Sequence, residues 1–132
     1  MKRHYDIGPT PGWQDQFVTS YASVHPWEDW AETWAHYLHM TDTLETAADC
    51  GVQMRPDRRN EPTVKDMADP VAEELPFEDL MKAWFPLTYL LNNLNRGLGL
   101  PDGYPFVLST PATEKLRFVH DVVRASRRSS PH

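Results

Sequence analysis

One cysteine, Cys50, stands in 132 residues, so the chain has no internal disulfide framework and no cysteine-based zinc site. With no base beside it in sequence, Cys50 reads as a small buried residue near a helix end, not as a nucleophile. HExxH is missing as well: the stretches that begin at His4, His25, His36 and His120 read HYDIG, HPWED, HYLHM and HDVVR. Two histidines one turn apart with a glutamate between them are the usual helix-borne half of a peptidase zinc site. No apolar run approaches the length of a membrane span, and the opening MKRHYDIGPTPGW lacks an apolar signal core. A cytoplasmic protein is the default that follows. Net positive charge is also lacking. A balance of −6 argues against nucleic-acid binding, which needs a concentrated basic face. The two basic clusters, Arg55/Arg58/Arg59 and Arg124/Arg127/Arg128, read as a solvated loop and a helix C-terminus that favours cations.

Twelve prolines punctuate the chain and imply several sharp reversals. Residues 1 to 9 look irregular. Thr10-Pro11 offers an N-cap followed by proline at the first helical position. Trp13, Phe17 and Tyr21 at four-residue intervals predict a first amphipathic helix, ended at His25-Pro26 because the residue before proline is pushed out of helical geometry. A second helix is expected from Pro26 to about Ala48, stopped near Gly51. Its predicted core face is Trp27, Trp30, Ala31, Trp34, Tyr37 and Leu38. Residues 52 to 75, rich in proline and charge, predict a long loop. Pro76 opens a third helix with apolar positions from Phe77 to Leu94, and Pro86 should kink or split it. After a turn-rich connection at 100 to 109, whose Tyr104, Phe106, Val107 and Leu108 should tuck against the body, Thr110-Pro111 starts a fourth helix. Its expected buried stripe is Leu116, Phe118, Val119, Val122 and Val123. The expectation is all-α, four main helices and one long loop, in a single domain of residues 1–128 with a frayed tail at 129–132.

The second helix concentrates the chemistry. HPWEDWAETWAHYLHM, residues 25 to 40, holds three of the five tryptophans, three acids and three histidines. Glu28, Glu32, His36 and His39 fall at spacings of four, four and three, in a stripe about 80° wide beside the apolar face. Such a line is able to supply metal ligands or proton carriers. It has a plainer reading too: Glu28 and Glu32 as acids that favour a helix N-terminus, His36 and His39 as surface or hydrogen-bonded histidines, and the tryptophans as core.

SYASVHPWEDWAETWAHYLHMTDTLETA, residues 20 to 47, resembles the C-terminal signature of a bacterial family described as zinc-binding metallopeptidases. The resemblance extends through RHYDIGPTPGWQDQFV on one side and LPDGYPFVLSTPATEKLRFVHDVV on the other, so it covers most of the chain. It implies an HExGH helix upstream of the matched region, supplying two histidine ligands and the catalytic glutamate, and a chain here that starts after it. The part present would carry the third ligand. In the E-x-x-A-E pattern that ligand maps onto Glu28 of EDWAE. Glu32 would be an alternative ligand or a support to it, and Asp29 would orient a ligand histidine. Tyr104 and His120 are candidates for transition-state stabilisation by looser analogy with other zinc peptidases, with packing as their plainer role.

A catalytic zinc needs three protein ligands and an open position, so one carboxylate does not make a site. The resemblance therefore implies zinc and a peptide substrate in a complete family protein, with no stoichiometric zinc and no peptide hydrolysis in this chain alone. Two other readings stay open. One is a helical interaction or oligomerisation module; the other is a self-contained metal site of Glu32, His36 and His39, formed within one chain or across a dimer. Loss of an N-terminal part would leave apolar surface bare, which predicts a homodimer unless that part is present.

Overall fold

The structure, a computed structural model, describes residues 11–58, 60–105 and 107–129. The expectations for residues 1 to 9, Thr10, Arg59, Phe106 and the last three residues, and for the Arg128 side chain, lie outside the described part. The architecture is all-α. Two short 3-10 turns, Trp13–Asp15 and Tyr21–Val24, precede three helices: α1 (Pro26–Asp49), α2 (Phe77–Gly97) and α3 (Thr110–Ser129). No strand forms among the described residues; within the long loop a single antiparallel bridge pairs Met54 with Val64. No helix there is long and apolar enough to cross a membrane.

The helix expected before His25 does not form, which leaves three α-helices instead of four among the described residues. Gly12 takes a left-handed φ of 72° ahead of the first turn, and Gln16 leaves helical geometry behind it. At the second turn, hydroxyl side chains join the local backbone bonding. Thr19 Oγ1 accepts the Ala22 N–H, and the Ser23 hydroxyl donates to the Ser20 carbonyl. Such bonds offer the backbone an alternative to the helical ladder.

The ends of α1 follow the expected punctuation. His25 is extended (φ −163°, ψ 147°) before Pro26. Its carbonyl accepts the N–H groups of Glu28 and Asp29, and its Nδ1 accepts that of Trp27. At the other end Gly51 adopts φ 69° while the Val52 N–H reaches the Ala47 carbonyl and the Gly51 N–H the Ala48 carbonyl. That pair of bonds is the Schellman arrangement, which satisfies carbonyls the helix leaves over. α2 ends the same way at Gly99, with the Leu100 N–H on the Asn95 carbonyl. Pro86 lies inside α2 without splitting it. The cap of α3 is Ser109, one residue earlier than Thr110: its Oγ accepts the Ala112 N–H and its carbonyl the Thr113 N–H. Ser129, expected in the tail, is still helical.

The chain divides into two compact units, residues 1–38 with 108–132, and residues 39–107. In the first, Val18, Ala22, Val24, Tyr37, Ala112, Leu116 and Val119 are buried; in the second, Met40, Leu44, Ala47, Met54, Phe77, Leu80, Met81, Trp84 and Leu87 are. The expected core face of α1 is therefore corrected. Its buried stripe is Thr33, His36, Tyr37, Met40, Leu44 and Ala47, whereas Trp27, Trp30 and Leu38 are 68%, 50% and 48% exposed. Periodicity correctly finds an apolar stripe on α1, but the neighbours decide which stripe is covered. α3 shows a like shift, with Leu116 and Val119 buried and Phe118 and Val122 exposed. Cys50, expected to be buried, is exposed.

The two stripes separate by mutation. Leu44→Ala should lower unfolding stability by about 2–4 kcal/mol, the usual effect of emptying a packed leucine site, while Trp27→Ala should change it by less than about 0.5 kcal/mol. Chemical denaturation of the two variants measures both.

Candidate metal and proton-transfer residues

Asp29 and Lys115 form an ion pair at the first turns of α1. Lys115 Nζ lies 2.8 Å from Asp29 Oδ2 and donates to the Gln16 carbonyl at 2.8 Å, and it sits 4.3 Å from the centroid of the Phe17 ring. Thr33 Oγ1 adds a weaker bond, 3.4 Å, to Asp29 Oδ1. One ammonium thus serves a carboxylate, a carbonyl and an aromatic face, all within the first unit. Asp29 is held as a structural anchor, with no histidine among these partners.

Glu28 and Glu32 are half-buried. Glu28 stands in the first turn of α1, where its own N–H is fixed to the His25 carbonyl at 2.9 Å. His36 is buried, 4% exposed, whereas His39 is exposed. Glu32, His36 and His39 are not gathered into a cation site: among the described residues no group of three His, Cys, Asp or Glu side chains is able to hold a metal ion. The sequence stripe is real as a pattern on a helix. Its members nevertheless differ in burial and in partners.

Two tyrosine–histidine pairs organise the remaining candidates. In the first unit the Tyr37 hydroxyl shares a hydrogen bond of 2.9 Å with Nδ1 of His120, a buried residue. Burial raises the Tyr37 pKa above 10.0, with Asp121 adding to the rise and the Arg127 and Arg124 charges opposing it. In the second unit the Tyr104 hydroxyl shares a hydrogen bond of 2.8 Å with His39 Nδ1. Desolvation likewise raises the Tyr104 pKa.

Tyr104 is placed by a clamp that sequence reading missed. Asn92 Oδ1 accepts the N–H groups of Gly103 and Tyr104, at 3.0 and 3.4 Å, and Asn92 Nδ2 donates to the Tyr104 carbonyl at 2.9 Å. The Tyr104 ring meets Trp84 edge-on, centroids 5.2 Å apart. Arg96 grips Asp102 through two bonds, 2.8 and 2.6 Å, which closes the preceding turn. A signal for the clamp was present in the sequence: Asn92 occupies a core position of a mainly apolar helix stripe, where an amide needs partners.

A family model described as "Putative zinc-binding metallo-peptidase" matches residues 1–122. The chain belongs to this family. Uncharacterized proteins of Mycobacterium bovis and Mycobacterium tuberculosis are 46% identical to it over 123 residues. That stretch is 93% of this chain but 34% of each mycobacterial protein, so the chain spans about a third of the length of these curated relatives. No solved structure gives a significant match.

The described residues of this family member do not fit a complete zinc site, because three ligand side chains are not brought together. What they offer is an acid at a helix start and, apart from it, two hydrogen-bonded phenols.

Two measurements probe this arrangement. A double-mutant cycle of Asp29→Asn and Lys115→Met should give a coupling of about 1–2 kcal/mol, above that of an open surface pair because both groups are mostly shielded. For Tyr104, the folded phenol releases its proton at higher pH than the unfolded one. Stability is therefore present below the ordinary tyrosine pKa, 10.0, and declines as pH rises through the raised value. Asn92→Ala should bring the Tyr104 titration, followed by NMR of the labelled ring, back toward the ordinary value.

Proposed function

We propose that this chain is the part of a zinc-dependent peptidase that contributes the acidic ligand, Glu28, and that the two further ligands come from polypeptide outside its described residues. The observation that carries this reading is a mismatch: the family is described as zinc-binding, and the described residues bring no three ligands together. Support for Glu28 comes from its position. It occupies a helix start whose backbone is fixed by the His25 carbonyl. The resemblance of EDWAE to the glutamate-ligand pattern points to the same residue. Glu32, one turn further on, is the alternative ligand or the group that steadies Glu28. Peptide hydrolysis then belongs to the completed protein and not to this chain by itself. Zinc, when bound, would supply Lewis acidity and a water of lowered pKa. This chain's own share is to hold one carboxylate at a fixed place.

A scaffold that keeps the helices without the chemistry is the second reading, favoured by the large aromatic surface that α1 leaves in solvent. A homodimer remains the form expected for the chain when no completing polypeptide is present. Both readings of the site meet in one experiment. The chain is co-expressed with the portion of the Mycobacterium tuberculosis relative that it does not match, and zinc is measured by elemental analysis and competition with a chelator. The completed pair should hold zinc, and Glu28→Gln should weaken it by more than about 100-fold, since removing even an outer partner costs about 10–100-fold. The chain alone should hold less than stoichiometric metal. Stoichiometric zinc on the isolated chain, or unchanged zinc in the Glu28→Gln pair, would overturn the assignment.

A further inference from the structure

An α-helix on a protein surface needs one apolar stripe to reach the core, and α1 carries two. With about 100° per residue, Trp27, Trp30 and Trp34 fall in a sector roughly 60° wide, while Thr33, His36 and Tyr37 mark another whose centre lies about 100° away. The second sector is buried. The first is led by Trp27 and Trp30, 68% and 50% exposed. A helix that is apolar on two sides is typically covered on two sides.

The exposed sector continues onto α3. The Trp30 and Phe118 rings lie 6.0 Å apart at 54°, with Phe118 53% exposed and Val122, one turn on, 38% exposed. Between them opens a groove of about 340 Å³, lined also by Pro26, Thr33 and Val119, with Asp29 and Lys115 contributing to its wall. Tryptophan and phenylalanine each present about 150–250 Å² of side-chain surface. Two tryptophans and a phenylalanine at least half exposed therefore reach the size at which an apolar patch on a monomer marks an interaction site. Tryptophan is also the residue type that most often carries binding energy at the centre of an interface.

The occupant is narrowed by charge and by length. The charges on the two helices that bear the patch are of both signs, Glu28, Asp29, Glu32 and Glu114 against Lys115, Arg117 and Arg124, so the patch lacks the concentrated cationic face that an anionic membrane surface requires. The mycobacterial relatives carry about two-thirds of their length beyond the part that matches this chain. Polypeptide of that kind is thus available to the fold wherever the family occurs in its longer form. We propose that the face made by Trp27, Trp30, Phe118 and Val122 is the docking surface for the unmatched two-thirds of the longer family members. The proposal rests on the reading that this chain needs a completing polypeptide, and it does not depend on which residue ligates zinc.

The test uses the co-expressed pair. A tagged chain should retain the unmatched mycobacterial portion through purification, and Trp30→Glu with Phe118→Glu should weaken that association by at least about 30-fold, the loss typical of truncating an interface hot spot. Circular dichroism of the isolated double variant should match that of the parent and its melting temperature should stay close to it, because both side chains are about half exposed and lie outside the buried core. Glu28→Gln should lose zinc yet keep the association, so a failed ligand assignment and a failed docking surface give different results. The proposal is overturned if the wild-type chain does not retain the mycobacterial portion, or if the double variant retains it as well as wild type. It is also overturned if the isolated chain sediments as a dimer that Trp30→Glu splits and that the mycobacterial portion does not displace, since the occupant is then a second copy.

Discussion

The Lys115 ammonium is the interaction on which the first unit depends. Before α1 the described residues form only two short 3-10 turns, so their position rests largely on side-chain contacts, and Lys115 supplies several at once. It donates to the Gln16 carbonyl, covers the Phe17 ring and meets Asp29 in the first turn of α1. A single cation on α3 thereby fixes an irregular segment and a helix start together. Asp29 is suited to this by position as well as by charge, because an acid near a helix N-terminus also answers the exposed N–H groups there. Asp29 is thus held by a lysine from the far end of the chain.

Helix punctuation was legible in the sequence, and helix environment was not. Pro26, Gly51 and Gly99 end or start elements for reasons internal to a few residues, and each works as the local chemistry demands. The missing first helix has an equally local setting, Gln16 leaving helical geometry and the Thr19 hydroxyl taking the Ala22 N–H, which the aromatic spacing of Trp13, Phe17 and Tyr21 concealed. The choice between two apolar stripes on α1 was of another kind. Trp27, Trp30 and Leu38 are more apolar on paper than Thr33 and His36, yet the latter are buried, because burial is set by where α3 and the preceding turns lie.

The candidate site divides along the same line. Glu28 at a helix start was visible as a residue type at a spacing, and so was the absence of HExxH. The partners of Tyr37 and Tyr104 were not, since each pair joins residues 83 and 65 positions apart. The Asn92 clamp was legible only as an amide on a buried stripe, and the short loop it holds through three hydrogen bonds was not. Tyr104 and His120 were nominated by analogy. The structure gives each a hydrogen-bonded neighbour.

The unequal burial of the tryptophans makes the molecule report on itself optically. Trp84 is fully buried, whereas Trp27 and Trp30 face water. Indole emission shifts with the polarity around the ring, so the core and the surface emit at opposite ends of the tryptophan range. Loss of the fold would move the Trp84 component toward the red, and covering α1 would move the surface component toward the blue. Unfolding and coverage thus change the colour of the same protein in opposite directions.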